Sequence, residues 1–90
     1  MRIHFIGIGG IGVSSLARYF LAKGNDVSGS DMTASELTRS LQKEGIRVSI
    51  GAHSARNVEK GIDLVIHTPA VRSDNPEMRK AKREGIETMS

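Results

Sequence analysis

The first run in this chain whose residue types could do chemistry is a glycine-rich hexapeptide, Gly7-Ile8-Gly9-Gly10-Ile11-Gly12. Its glycines match the G-x-G-x-x-G spacing that holds a diphosphate when it joins a strand to a helix. In that setting Gly7 permits the tight turn, Gly9 lets the backbone approach the phosphates, and Gly12 lets the helix pack close to the strand. The amides around Gly10 to Val13 become donors to phosphate oxygens, aided by the helix dipole. The same run is compatible with a turn that only permits close packing.

Three further features fall where a nucleotide would need them. Ser28-Gly29-Ser30-Asp31 ends a short β-rich run, and Asp31 lies 19 residues after Gly12. An acidic residue at about that distance binds ribose hydroxyls in dinucleotide sites, though Asp31 also suits a turn or a helix cap. Thr68-Pro69-Ala70-Val71 follows another apolar run, and its small residues would let a base or sugar approach the backbone, or simply form a turn. His53, in Gly51-Ala52-His53, could donate or accept at the edge of a ligand, and is equally an ordinary loop histidine. His4 and His67 fall inside strand-like runs and are expected in or near the core, satisfied by backbone groups. Ser14 and Ser15 lack a G-x-S-x-G elbow. No G-x-x-x-x-G-K-[ST] loop for ATP is present.

The elements that must position these residues can be read from periodicity. Arg2–Ile6 is a nearly continuous apolar run and predicts a buried strand. Val13, Leu16, Ala17, Phe20 and Leu21 recur at helical spacing, predicting a helix over Ile11–Lys23 with Gly24 as its C′ residue. Val27–Ser30 is a second strand. Thr33 and Glu36 have capping-box spacing for a helix that ends at Gly45. Val48 and Ile50 alternate with Ser49, an edge strand, followed by a helical turn over Ser54–Val58. Ile62 and Leu64–Ile66 form a fourth strand. Asn75-Pro76-Glu77 is a strong helix start, with Asn75 as N-cap, Pro76 at N1 and Glu77 favouring the dipole. That helix ends at Gly85, and Ile86–Met89 begins a fifth strand. The alternation predicts a Rossmann-like α/β fold, a parallel sheet with helices on both faces. Unbroken apolar runs belong to central strands and alternating ones to edges, which gives the order 3-2-1-4-5.

Composition narrows the setting. Ninety residues make one domain, burying about 60–65% of the unfolded chain's surface. The absence of cysteine removes disulfides, thiol catalysis and cysteine metal sites. No apolar run approaches the ~20 residues of a membrane span. A net charge of +3 invites a nucleic-acid partner, but the densest basic stretch, Arg79–Arg83, is flanked by Glu77, Glu84 and Glu87, and only Phe5, Tyr19 and Phe20 are aromatic. Neither nucleic acid nor membrane is therefore expected as a partner, and the mild positive bias suits an anionic small ligand. The chain is expected to be cytoplasmic.

Together, Gly7 to Gly12, Ser28 to Asp31, His53, Thr68 to Val71 and Asp74-Asn75-Pro76-Glu77 occur in the order and spacing of one family. Over its whole length the chain resembles the N-terminal UDP-substrate domain of the Mur ligases. The doubled Gly9-Gly10 favours the member that joins L-alanine to UDP-N-acetylmuramate in peptidoglycan synthesis. The resemblance implies a three-domain enzyme whose central ATP domain and C-terminal domain lie beyond residue 90. ATP and magnesium act there, through an acyl phosphate, and these 90 residues alone are expected to be inactive. It also implies that Gly9 to Val13 hold the UDP diphosphate, that Ser30, Asp31 and His53 lie at the uridine, and that Thr68, Pro69, Ala70 and Val71 line the uracil side. Thr68 and Pro69 replace the family's usual serines, and Pro69 has no amide to donate. The residues taken alone leave two other readings. One is an NAD-binding module of a dehydrogenase or of a ligand-gated regulator, though NAD normally needs the second half of a doubly wound sheet. The other is an interaction module with a vestigial site.

Overall fold

Strand β1 (Arg2–Ile6) lies at the centre of a five-stranded parallel sheet in the computed structural model, which describes residues 1–90. Around it stand β2 (Asp26–Asp31), β3 (Arg47–Ile50), β4 (Leu64–His67) and β5 (Glu87–Met89), in the order β3-β2-β1-β4-β5. The helices are α1 (Ile11–Ala22), α2 (Glu36–Lys43) and α3 (Pro76–Arg83), with a 3-10 turn at Ala55–Asn57. Order and element types are those expected from apolarity and periodicity. No helix is long and apolar enough to cross a membrane.

Strand alternation sorts the side chains onto two faces. Ile3 and Phe5 of β1, Val27 of β2, and Leu64 and Ile66 of β4 turn toward α1 and α2, where Ala17 and Leu41 complete one core. Ile6 and Val65 turn the other way, to Met78 and Ala81 of α3, with Val58 and Ile62. The central strands read as unbroken apolar runs because helices cover both of their faces. β3, paired on one side only, keeps Arg47, Ser49 and Ile50 exposed.

The register brings β1, β2 and β4 to a common carboxyl edge: Ile6 pairs with Ser30 on one side and with His67 on the other. α1 closes with Gly24 at φ +91°, its amide bonded to Leu21 O while Asn25 N reaches Phe20 O. This is the Schellman arrangement, and it needs a residue that tolerates positive φ.

Two local expectations are corrected. The helix after β2 is capped by Ser35 and not by Thr33: Ser35 Oγ accepts from Thr38 N, and Thr38 Oγ1 accepts from Ser35 N. The Thr33 amide is already committed to Asp31 Oδ1 at 3.1 Å, so the chain makes a turn there before the helix starts. Ile62 lies outside β4, since its amide bonds Glu59 O in a turn, although its side chain still joins the second core.

Candidate functional site

The glycine turn is hung from the end of β2. The amides of Gly7 and Ile8 both donate to Ser30 O, at 2.8 and 3.0 Å. Gly10 N donates to Gly7 O, closing a turn in which Gly7 has φ +81°. Gly9 N donates to Asp31 Oδ2 at 2.8 Å. The first four amides of the loop are thus consumed inside the protein.

The next three are not. Ile11, Gly12 and Val13 begin α1, where amides have no partner within the helix. Gly10, the N-cap, offers no side chain, and the first turn carries no acidic residue. Ile11 and Gly12 are exposed, and a Cβ on Gly12 would meet nothing within 4 Å. Three open donors at the positive end of a helix form an anion-binding feature. Of the five residues expected to hold the diphosphate, Gly9 to Val13, the structure leaves the amides of Ile11, Gly12 and Val13 open.

Two glycine roles expected from the fingerprint change. Gly12 does not let the helix approach the strand, because it faces open space. Gly29 takes the close-packing role, since a Cβ there would fall 2.5 Å from Ile8 Cδ1. At Gly9 the place a Cβ would fill already holds Asp31 Oδ2, 2.7 Å away, with Thr38 Cγ2 at 3.2 Å. Gly9→Ala should therefore displace the Asp31 carboxylate and cost about 1 kcal/mol, the worth of one hydrogen bond. In an Asp31→Ala background the same substitution should cost less, since only the Thr38 Cγ2 contact at 3.2 Å remains. Urea denaturation of the four proteins tests this, and additive effects would contradict it.

Thr68 stands against the glycine turn, its Cγ2 3.7 Å from the position of a Gly7 Cβ. Val71 N bonds Thr68 O at 3.1 Å, which leaves Pro69 and Ala70 exposed at the tip of a turn. Proline suits the first central position of such a turn. Gly7 to Val13, Asp31 and Thr68 to Val71 thus share the carboxyl edge of the sheet, where open α/β folds hold ligands.

Ser30 and Asp31 point to opposite faces of the sheet, as neighbours in a strand must. Asp31 serves the glycine loop. Ser30 is buried, and its hydroxyl donates to Glu77 Oε1 at 2.7 Å. It therefore lies beneath the edge and supports it, with no free hydroxyl to present. His53 lies beside it, with Nδ1 3.2 Å from Ser30 Oγ and 2.9 Å from Glu77 Oε2.

Glu77 is the residue that sequence reasoning missed. It was expected at the helix start for its charge; it is completely buried. Oε1 accepts from His4 Nε2 (2.7 Å) and Ser30 Oγ, and Oε2 from His53 Nδ1, Asn57 Nδ2 (3.0 Å) and Ser54 N (3.3 Å). Burial pushes the carboxyl pKa up, but hydrogen bonds from His4, Asn57, Ser30 and His53 outweigh it and hold it at about 2, against an ordinary 4.5. His4 is thus satisfied by side chains, Glu77 and Ser28, and not by backbone groups as expected. His67 does bond a backbone oxygen, that of Thr68, at 2.9 Å. A signal for Glu77 existed: it shares a helix face with Ala81 in a helix otherwise crowded with basic residues, while His4 interrupts an apolar strand.

One cavity of about 200 Å3 opens on the α3 side of β2 and β3. His4, Ser28, Ser49, Arg56 and Asn57 help to line it, with no hydrophobic residue. None of the expected site residues borders it. The open amides and the strand ends favour the carboxyl edge as the functional site.

Sheet order, crossovers on both faces and a glycine turn feeding an uncapped helix define a Rossmann-like α/β domain. The chain belongs to the Mur ligase family: the pattern described as "Mur ligase family, catalytic domain" matches residues 2–90. It is 50% identical over 89 residues to UDP-N-acetylmuramate–L-alanine ligase of Campylobacter jejuni subsp. jejuni serotype O:6, covering 99% of this chain and 20% of that protein. The ligase of the same name from Acetivibrio thermocellus is 53% identical over 88 residues, covering 98% and 18%. The crystal structure of UDP-N-acetylmuramate–alanine ligase from Thermotoga maritima superposes with a TM-score of 0.92 at 48% identity, covering 99% of this chain and 20% of that one. The chain spans about a fifth of the length of the curated relatives it matches.

Proposed function

We propose that this chain holds the UDP moiety of UDP-N-acetylmuramate, as the N-terminal domain of a cytoplasmic ligase that adds L-alanine to that substrate in peptidoglycan synthesis. The observation that carries this reading is the set of open amides at Ile11, Gly12 and Val13, at the carboxyl edge of the sheet. They supply donors and positive potential for a diphosphate. The names of relatives half identical to this chain support the choice of UDP-N-acetylmuramate. Thr68 to Val71 and Asp31 flank the same edge and would bound the nucleoside, with Pro69 contributing shape and no donor.

ATP and magnesium, which ligation through an acyl phosphate requires, find no fitting donor set among these residues. No three His, Cys, Asp or Glu side chains are grouped to hold a metal ion, and no G-x-x-x-x-G-K-[ST] run exists. In this reading the domain grips substrate while other parts of a longer ligase bind ATP, magnesium and L-alanine, and no bond-making step is assigned to it.

Titration of the chain with UDP-N-acetylmuramate, followed by amide chemical shifts, tests the proposal. Shifts are expected at Ile11 to Val13, Asp31 and Thr68 to Val71. NADH is the competing probe, and perturbation by NADH alone would overturn the ligase reading in favour of a dinucleotide module.

A further inference from the structure

Resting on the nucleotide reading above, we infer that Glu77 is a positioning residue that fixes the tautomer of His53, which follows β3 at the carboxyl edge of the sheet, so that His53 Nε2 is kept as a hydrogen-bond acceptor for a donor group of the nucleoside, a ribose hydroxyl or a base N–H. The geometry leaves little freedom. Ionised Glu77 can only accept hydrogen bonds. Its two oxygens touch two histidines through different nitrogens, Nε2 of His4 and Nδ1 of His53. Both nitrogens must therefore carry a proton, so the neutral form of each ring has one allowed tautomer, and the two tautomers are opposite. In His4 the remaining Nδ1 is closed off, 2.9 Å from Ser28 Oγ in the core. In His53 the remaining Nε2 has no partner in the protein. No buried side-chain nitrogen or oxygen lacks a partner, so this nitrogen is accessible to solvent.

The anchoring is stiff as well as directional. Ser54 N and Asn57 Nδ2, from the turn that follows His53, end on the same Glu77 oxygen. Ser30, whose carbonyl carries the glycine turn, ends on the other. One buried carboxylate therefore links the proposed diphosphate loop, through Ser30, to the ring that would meet the nucleoside. A carboxylate that orients an imidazole and selects its tautomer is a general device for preparing the far nitrogen.

The test begins with the wild-type chain and needs no ligand. Long-range proton–nitrogen NMR distinguishes protonated from unprotonated ring nitrogens. At about pH 8 His53 should show a protonated Nδ1 and a bare Nε2, and His4 the reverse. A proton on His53 Nε2, in the other tautomer or in an imidazolium, overturns the inference. In Glu77→Met both acceptor oxygens are gone, so His53 Nδ1 loses the carboxylate that holds its proton and fixes the ring. Folded Glu77→Met should bind uridine diphosphate roughly tenfold more weakly, equivalent to one lost hydrogen bond, and should lose less for inorganic pyrophosphate, which has no nucleoside to meet His53. Unchanged uridine diphosphate binding by that variant overturns the inference. If the variant does not fold, the wild-type tautomers decide. If the wild type has the expected tautomers but binds no uridine diphosphate, the nucleotide reading fails while the Glu77–His53 geometry stands.

Discussion

Glu77→Ala should destabilise the fold by about 3–5 kcal/mol, the range for breaking a buried, paired ionic group. A chain of this length has only about 5–13 kcal/mol to lose. The substitution removes the sole acceptor for Asn57 Nδ2 and Ser54 N and leaves His4 Nε2 in the core without a partner. Urea denaturation should show the loss directly, and a cost below about 1 kcal/mol would mean that solvent replaces the network. The pH dependence gives an independent check. The folded pKa of Glu77 lies below the unfolded one, so its contribution is fully present above the ordinary value of 4.5. It is lost as pH falls from there to about 2, and the total is on the order of 3 kcal/mol. Wild-type stability should fall steeply across that interval, and Glu77→Ala should flatten the fall. Asp26 also titrates low, held by Arg47 and Arg2, but it is exposed and present in both proteins, so it cancels in the comparison.

The parts of this molecule that were legible in the sequence are those encoded by short-range repetition. Strands β1 and β4 announce themselves as unbroken apolar runs, and β3 as an alternating one. Their positions in the sheet follow from how many faces each must bury. Gly24 marks a helix end because only a few residues tolerate the backbone it requires. The glycine turn was visible because its spacing is itself the signal. What escaped were pairings across the chain. His4 and Glu77 are separated by 73 residues, and nothing in either neighbourhood specifies the other. The same holds for Ser30: its position at the strand end was evident, but not that its hydroxyl is spent on a helix 47 residues away. The cap of α2 was misplaced for a different reason. Thr33-x-x-Glu36 and Ser35-x-x-Thr38 overlap, and the choice between them rests on Asp31, whose side chain takes the Thr33 amide.

Gly29→Ala is the second substitution expected to do large damage, about 3 kcal/mol, at the upper end of what overpacking costs. Gly29 has no positive φ, so the strand backbone accepts alanine without strain, and the entire cost lies in contact. A Cβ there would stand 2.5 Å from Ile8 Cδ1, 2.8 Å from Ile8 Cβ and 3.0 Å from Ile8 Cγ2. Rotation about χ1 could move the first and third of these atoms but not the second. Ile8 Cβ can move only with its backbone, which is tethered by the bond from Ile8 N to Ser30 O. Retreat of Ile8 therefore pulls on the glycine turn, and a folded Gly29→Ala should lose affinity for uridine diphosphate along with stability. Gly12→Ala supplies the contrast. Its Cβ meets nothing, and alanine in a helix is worth up to about 1 kcal/mol over glycine, so stability should hold or rise. The methyl group would, however, stand among the open amides, and uridine diphosphate binding should fall. Denaturation and ligand titration of the two variants separate the glycine that makes room for protein from the glycine that makes room for ligand. Equal stability of Gly29→Ala and wild type would show that Ile8 moves despite its tether, and the glycine turn would then owe its shape to Asp31 and Ser30 alone.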